Sequence, residues 1–295
     1  MTTWSGGGHF VEKRLQFPTD ARPWLFLGLT LGVTWVFGFL AVAIQGAAPR
    51  GVVLALAYGG GLSPLLVTGG LAYLRHDRVY RRDFWQRLTD VRRIGVGWIL
   101  VIFLTFPVKS GLGALLDVVQ GGAGIALEGA ARLMSQPLLI VPTFVFWLLF
   151  GPVPEEIGWR GYATDGLQAR RSAVVASLIV GMVWAVWHLP LFLIEGTWQA
   201  EHLGFGTQLF WLWMMTVVIE SILYTWIFNN TQRSILSAIL FHFVGNAFGQ
   251  LFALSYRAEV YTQLLSIPVV LVVMVVWGPA TLTRGEKATQ LRDPS

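Results

Sequence analysis

Long runs of uncharged, apolar residues recur along the whole chain and are separated by short polar connections. Each run is about 20 residues long, the length of helix that crosses a hydrocarbon core. The apolar positions cover all sides of these runs instead of alternating, which predicts helices and not barrel strands. The sequence therefore predicts an all-α, polytopic membrane protein with eight transmembrane helices, at 23–45, 51–74, 94–118, 136–153, 172–194, 206–228, 234–253 and 261–282.

The longest polar connection, 75–93, has a helical pattern of its own. Tyr80, Phe84 and Leu88 recur at four-residue spacing, and arginines lie between them. This pattern is typical of a helix that lies on the membrane surface, here the cytoplasmic surface.

The distribution of basic residues predicts the orientation in the membrane. No linker-like stretch divides the chain, so we expect one eight-helix membrane domain over 23–282, a cytoplasmic segment at 1–22 and a cytoplasmic tail at 283–295. Seventeen of the 21 Lys and Arg residues fall on one side of this plan. Because basic residues concentrate in cytoplasmic connections, both termini of this multi-pass protein are predicted to be cytoplasmic, in a cell (inner) membrane.

Composition agrees with a membrane location and narrows the chemistry. Hydrophobic residues make up 55% of the chain, charged residues 13%, and the mean hydropathy is +0.61, values that no ordinary soluble domain shows. A basic face beside anionic lipid headgroups explains the pI of about 9.8, so membrane lipid and not nucleic acid is the expected partner. The chain has no cysteine, which excludes disulfides, thiolate zinc sites and a cysteine nucleophile.

Three polar clusters interrupt the apolar runs, on three different predicted helices. An ionisable group in hydrocarbon costs roughly 2.5 to 3.5 kcal/mol, so such groups face a protein interior or a wet cavity and usually mark function. Taken singly, each cluster is also explained as a buried ion pair or a helix-to-helix hydrogen bond. Taken together, they predict one shared site with acid and base groups. The clusters are Glu155-Glu156 with Arg160, Trp184 with His188, and His242 with Asn246.

Helical geometry gives the two neighbouring glutamates different roles. Pro154 suits the first turn of a helix, and Glu156 and Arg160 are then four residues apart on one face, where they can pair. Glu155 lies about 100° around the helix, without a local cation. Glu156 is therefore predicted to be structural and Glu155 to be chemical.

The other two clusters also use four-residue spacing. Trp184 is expected to stack over His188 and so fix the orientation of the imidazole, and His242 and Asn246 share one face of their helix. The three clusters reach similar depths in the membrane if the helix of the first cluster continues through Arg170.

Two further charges lie within predicted spans. Lys109 is expected to snorkel toward the outer membrane surface. Glu220 is expected to serve as a partner of Arg160 or of a histidine and not as a catalytic group.

The order of the motifs on successive helices is specific. Glu-Glu-x-x-x-Arg, aromatic-x-x-x-His and His-x-x-x-Asn resemble the motifs of the CAAX protease and bacteriocin-processing (Abi) family of intramembrane glutamic endopeptidases. The resemblance covers a catalytic core at about 150–250, and residues 1–140 carry no comparable signature. One departure is Trp184, where the family often has phenylalanine.

The resemblance implies a function and a set of roles. The chain would hydrolyse a peptide bond of a membrane-associated peptide or protein, with lipidated CAAX-like tails as one candidate substrate, entered from the cytoplasmic leaflet. Glu155 and His188 would activate a water, and His242 and Asn246 would stabilise the oxyanion. The other residues of the clusters would support these four.

Two alternatives stay open. Glutamate and histidine are also zinc ligands, but no His-Glu-x-x-His spacing is present and asparagine is a poor ligand, so catalysis without metal or cofactor is favoured. A non-catalytic membrane binding or immunity protein on the same fold is the other alternative. A proton-coupled transporter is disfavoured, because repeat symmetry and discontinuous spans are missing.

Overall fold

The computed structural model describes residues 21–284, which form thirteen helices and one two-residue antiparallel strand pair. A π-helical segment, Trp159–Thr164, joins α8 to α9 without a break. The elements are α1 (Pro23–Ile44), α2 (Arg50–Gly61), α3 (Ser63–Arg75), α4 (Arg78–Thr89), α5 (Val96–Val119), β1 (Ile125–Ala126), α6 (Glu128–Met134), α7 (Ile140–Leu149), α8 (Pro152–Gly158), α9 (Asp165–Gln168), α10 (Ala173–Trp187), α11 (Gln208–Asn230), α12 (Ile235–Leu251), β2 (Ala253–Leu254) and α13 (Tyr256–Trp277).

The predicted all-α polytopic architecture is confirmed. Among residues 21–284, seven helices or helix pairs are long and apolar enough to cross a membrane, and α12 is an eighth, shorter apolar helix. The count of eight spans therefore stays a prediction. So does the position of α4 on the membrane surface, although a helix does form there. The predicted cytoplasmic ends, 1–22 and 283–295, lie almost wholly outside the described residues.

The helix that carries the first polar cluster is broken once and then continues to the basic end of the bundle. At Gly151 the backbone leaves the helical region (φ −144°, ψ −94°), and Pro152 follows at the start of α8, where a missing N–H does no harm. From there, α8, the π segment and α9 run without interruption to Gln168. This continuation is the condition on which the shared depth of the three clusters depends.

Close helix contacts depend on small residues. A methyl group added at Gly181 of α10 would lie 2.6 Å from the carbonyl oxygen of Val218 in α11. At Gly158 it would lie 2.5 Å from Pro64 of α3. Without a hydrophobic force between helices in lipid, this backbone proximity is a main source of packing energy. It makes α10 and α11 the most enclosed spans, 56% and 61% buried.

A cluster of charges closes the basic end of the bundle. The buried Asp165 carboxylate accepts hydrogen bonds from Arg87 Nη1 of α4, at 3.2 Å, and from Arg233 Nε of the α11–α12 turn, at 2.7 Å. Burial lowers the pKa of the Arg87 guanidinium, and the nearby Asp165 charge opposes that shift. The cluster ties three elements together at this end.

Candidate active site

All four residues predicted to carry the chemistry line one cavity of about 520 Å³ inside the bundle, together with Trp184. Three are almost completely buried, and Asn246 is exposed. The four come from α8, the end of α10, and α12. The structure thus brings the three polar clusters together at one place, as the sequence indicates.

Glu155 lies in the first turn of α8, and its carboxylate is held from the side by Trp184. The indole Nε1–H of Trp184 donates to Glu155 Oε2 at 2.6 Å. This bond orients one carboxylate oxygen. The described structure shows no protein hydrogen bond to Oε1, so that oxygen is available to a ligand in the cavity.

His188 caps the end of α10, and a backbone carbonyl fixes its tautomer. The His188 backbone N–H bonds to Ala185, so the carbonyl of Trp184 is left to accept from His188 Nδ1 at 2.8 Å. Because a carbonyl only accepts, Nδ1 carries the hydrogen and Nε2 presents a lone pair. The Trp184 and His188 rings lie 6.1 Å apart at 45°. The expected stacking is therefore wrong as the orienting interaction, and the carbonyl of the same residue does that work.

Glu156 forms the predicted pair with Arg160 and also binds a histidine. Arg160 Nη1 lies 3.1 Å from Glu156 Oε2, and His242 Nδ1 lies 2.9 Å from Glu156 Oε1. The Arg160 guanidinium also donates to Ser221 at 3.0 Å and lies over two aromatic rings, those of Trp184 and Tyr224, at 4.7 and 4.3 Å. Glu156 and Arg160 thus form a buried base for His242.

Asn246 faces Glu155 across Gly151. A methyl group built on Gly151 would lie 3.2 Å from Asn246 Nδ2 and 4.0 Å from Glu155 Oε1. Both groups therefore approach one point at the break between α7 and α8. Only a residue without a side chain leaves that point open.

The two remaining intramembrane charges bind each other. Lys109 is buried and donates to Glu220 and to Ser266, the latter at 3.0 Å. The expectation that Lys109 snorkels is wrong, because a carboxylate on α11 offers its ammonium a partner inside the bundle. Glu220 binds Lys109 and Ser266, and neither Arg160 nor a histidine is among its hydrogen-bond partners.

The side chains at this site are already committed to protein partners in ways that bear on metal binding. Within residues 21–284, no three His, Cys, Asp or Glu side chains are grouped as a metal site. Glu156 is shared between a guanidinium and an imidazole, and one oxygen of Glu155 accepts an indole N–H. This donor set fits a zinc ion poorly.

The fold and the site together define a membrane-embedded helical protein with a carboxylate, two imidazoles and an amide around one internal cavity. Residues 137–248 match the family model described as type II CAAX prenyl endopeptidase Rce1-like. The chain is also 28% identical over 244 residues to CAAX prenyl protease 2 of Methanococcus maripaludis, covering 81% of this chain and 88% of that relative. The chain belongs to the CAAX protease and bacteriocin-processing family, which supports a membrane peptidase with a peptide or protein substrate.

Proposed function

We propose that the protein is an intramembrane endopeptidase in which Glu155 and His188 activate a water molecule. The observation that carries this proposal is the arrangement in the cavity. Glu155 Oε1 and His188 Nε2 are both left open while the opposite atom of each group is bound by Trp184. A water that donates to these two acceptors is oriented for attack.

The reaction then balances within this set of residues. The water gives a proton to Glu155 while its oxygen attacks the peptide carbonyl, and the carbonyl π electrons move to the carbonyl oxygen. When the tetrahedral intermediate collapses, the C–N bond breaks and the leaving nitrogen takes the proton from Glu155. The carboxylate is thereby regenerated, and His188 keeps the water and then the acid in place.

Stabilisation of the oxyanion falls to Asn246 and His242. The Asn246 amide donates through Nδ2. His242 Nδ1 is engaged by Glu156, so Nε2 donates only when the ring carries both protons, and the Glu156 carboxylate is the partner for that positive charge. Two such donors lower the barrier by a few kcal/mol, at about 2.7 to 4 kcal/mol for one strong donor.

Three further features belong to the proposal. The substrate is a membrane-associated peptide or protein, and the name of the relative makes prenylated CAAX-like tails one candidate. Catalysis uses no metal or cofactor, with a zinc-dependent mechanism as the alternative. The protein is a multi-pass protein of a cell (inner) membrane with both termini cytoplasmic.

Glu155→Gln tests the proposal, because it keeps the shape of the side chain and removes the base. New N-termini in the membrane proteome are compared between cells that carry the intact protein and cells that carry the variant. We expect cleavage products to disappear, since a general base contributes roughly 10²- to 10⁴-fold. Glu128→Gln is the matched control, because Glu128 is exposed on α6, away from the cavity.

Two outcomes would contradict the proposal. If Glu155→Gln is folded, as judged by gel filtration in detergent, and still produces the same new N-termini, Glu155 is not the base. If the intact protein changes a cellular phenotype without any cleavage, and Glu155→Gln retains that phenotype, the protein is a non-catalytic binding or immunity protein.

A further inference from the structure

The catalytic cavity occupies one half of the bundle. On α11 it is lined by residues from Trp213 to Tyr224, and on α12 by residues from His242 toward the end of the helix. On α13 it is lined by Glu259, Thr262 and Gln263, in the first two turns. The cavity therefore extends from the catalytic groups toward the end of the bundle where α10 ends and α11 and α13 begin.

The opposite end is closed by fully buried side chains. Below Glu155 on the same continuous helix, Trp159, Arg160 and Tyr162 are at most 1% exposed. One turn further, the Asp165 cluster ties α4 to this helix and to the α11–α12 turn. A peptide has no path through these packed layers to Glu155.

The open end has a polar rim and buried polar groups behind it. Glu201, His202 and Gln250 line the cavity and are exposed. Deeper in the wall, among residues 21–284, three buried side-chain oxygens have no hydrogen-bond partner, and they belong to Thr216, Thr262 and Gln263. The N–H groups of an extended peptide are donors of the kind that these oxygens lack.

The open end is also the end that is poor in basic residues. Its connections and adjoining helix ends carry Arg50, Arg132 and Arg257. The closed end carries most of the basic residues in the described range, namely Arg22, Arg78, Arg81, Arg82, Arg87, Arg92, Arg93, Arg170, Arg171, Arg233 and Arg284. By the distribution of basic residues in membrane proteins, the closed end faces the cytoplasm.

We propose that the catalytic cavity opens to the extracytoplasmic side, and that its substrate is a peptide segment of a membrane-anchored protein presented at that leaflet. The peptide part of this statement rests on the proposed function, whereas the sidedness rests on the fold and the charges alone. Cytoplasmic termini and substrate entry from the cytoplasmic leaflet, both expected from the sequence, are incompatible with this structure. The geometry favours the termini and rejects the entry.

The absence of cysteine from the native chain allows a direct test. Gln250→Cys places one thiol at the cavity rim, and Gln86→Cys places one on α4 at the closed end, in both cases at an exposed glutamine. Spheroplasts of a bacterial host that express full-length variants are treated with a membrane-impermeant maleimide, with and without permeabilisation. We expect Gln250→Cys to be labelled in intact spheroplasts and Gln86→Cys only after permeabilisation.

Proteolysis in the same spheroplasts links the sidedness to the substrate. A bulky impermeant maleimide added to intact cells should lower cleavage at least severalfold in the Gln250→Cys variant, relative to the same cells before treatment. It should leave cleavage in the Gln86→Cys variant unchanged.

Each remaining outcome bears on one part of the proposal. Labelling of Gln86→Cys but not Gln250→Cys in intact spheroplasts would overturn the sidedness, as would labelling of both or of neither. The expected labelling without an effect on cleavage would overturn entry through this mouth. Because labelling needs no activity, a protein that fails the Glu155→Gln test can still pass this one, and the two failures are distinguishable.

Discussion

Replacing Glu156 by glutamine removes the buried negative charge on which Arg160 and His242 both depend. The Glu156 carboxylate is fully buried, 3.1 Å from Arg160 Nη1 and 2.9 Å from His242 Nδ1. A glutamine leaves the guanidinium with Ser221 and two aromatic rings as its neighbours. Removing one partner of a buried ion pair costs about 3 to 5 kcal/mol, because the other charge stays buried. Glu156→Gln is therefore expected to lower the stability of the fold by this amount.

The same substitution is expected to slow catalysis through His242. A hydrogen bond to a charged group contributes about 1.5 to 3 kcal/mol, which is a roughly 10- to 150-fold loss of kcat/KM if the transition state needs it. The double variant Glu156→Gln/Arg160→Met separates the two effects. It removes both charges of the ion pair, so most of the lost stability should return. His242 still lacks its carboxylate, so the activity should stay low.

Stability is measured in detergent as the temperature at which half of the protein leaves the monodisperse gel-filtration peak. Activity is measured as kcat/KM on a quenched peptide that spans a mapped cleavage site. Unchanged stability of Glu156→Gln would show that the carboxylate does not hold a buried guanidinium. Recovered activity in the double variant would refute the idea that Glu156 acts on the reaction through His242.

Three other perturbations have expected outcomes. Gly151→Ala places a methyl group 3.2 Å from the Asn246 amide nitrogen and should lower kcat/KM about tenfold or more by displacing it, whereas Gly111→Ala, which meets nothing within 4 Å, should not. Lys109→Met leaves Glu220 buried and unpaired and should cost about 3 to 5 kcal/mol of stability in thermal gel filtration, with recovery on adding Glu220→Gln. A strong chelator should leave peptidase activity unchanged, and loss of activity that zinc restores would replace the metal-free mechanism.

Interactions within one helix are accessible from the sequence. The spacing of Glu156 and Arg160 predicts their pairing, and the structure shows it. The apolar runs predict most of the long helices, because length and hydropathy alone decide whether a helix can cross a membrane. The run before Glu155 also predicts a helix, but its continuation through the π segment to Gln168 has no signal beyond the absence of a helix breaker.

Interactions between helices are not accessible in the same way. Glu156 and His242 are 86 residues apart, and Lys109 and Glu220 are 111 apart. Helices that are apolar on all sides give no moment that fixes which face turns toward which neighbour. The snorkelling expected of Lys109 is wrong for this reason, since the sequence shows a cation near a helix end and does not show the carboxylate opposite it.

Trp184 explains how groups on separate helices are held in one arrangement. Its indole N–H binds Glu155 and its carbonyl binds His188, while its ring lies beside the Arg160 guanidinium and 5.4 Å from the His242 ring. A phenylalanine at this position would keep the carbonyl and the ring and lose the bond to Glu155. The motif position that the sequence marks only as aromatic thus has a second role in this chain. It fixes which oxygen of the base is free, and that choice depends on one N–H group that aromatic stacking does not require.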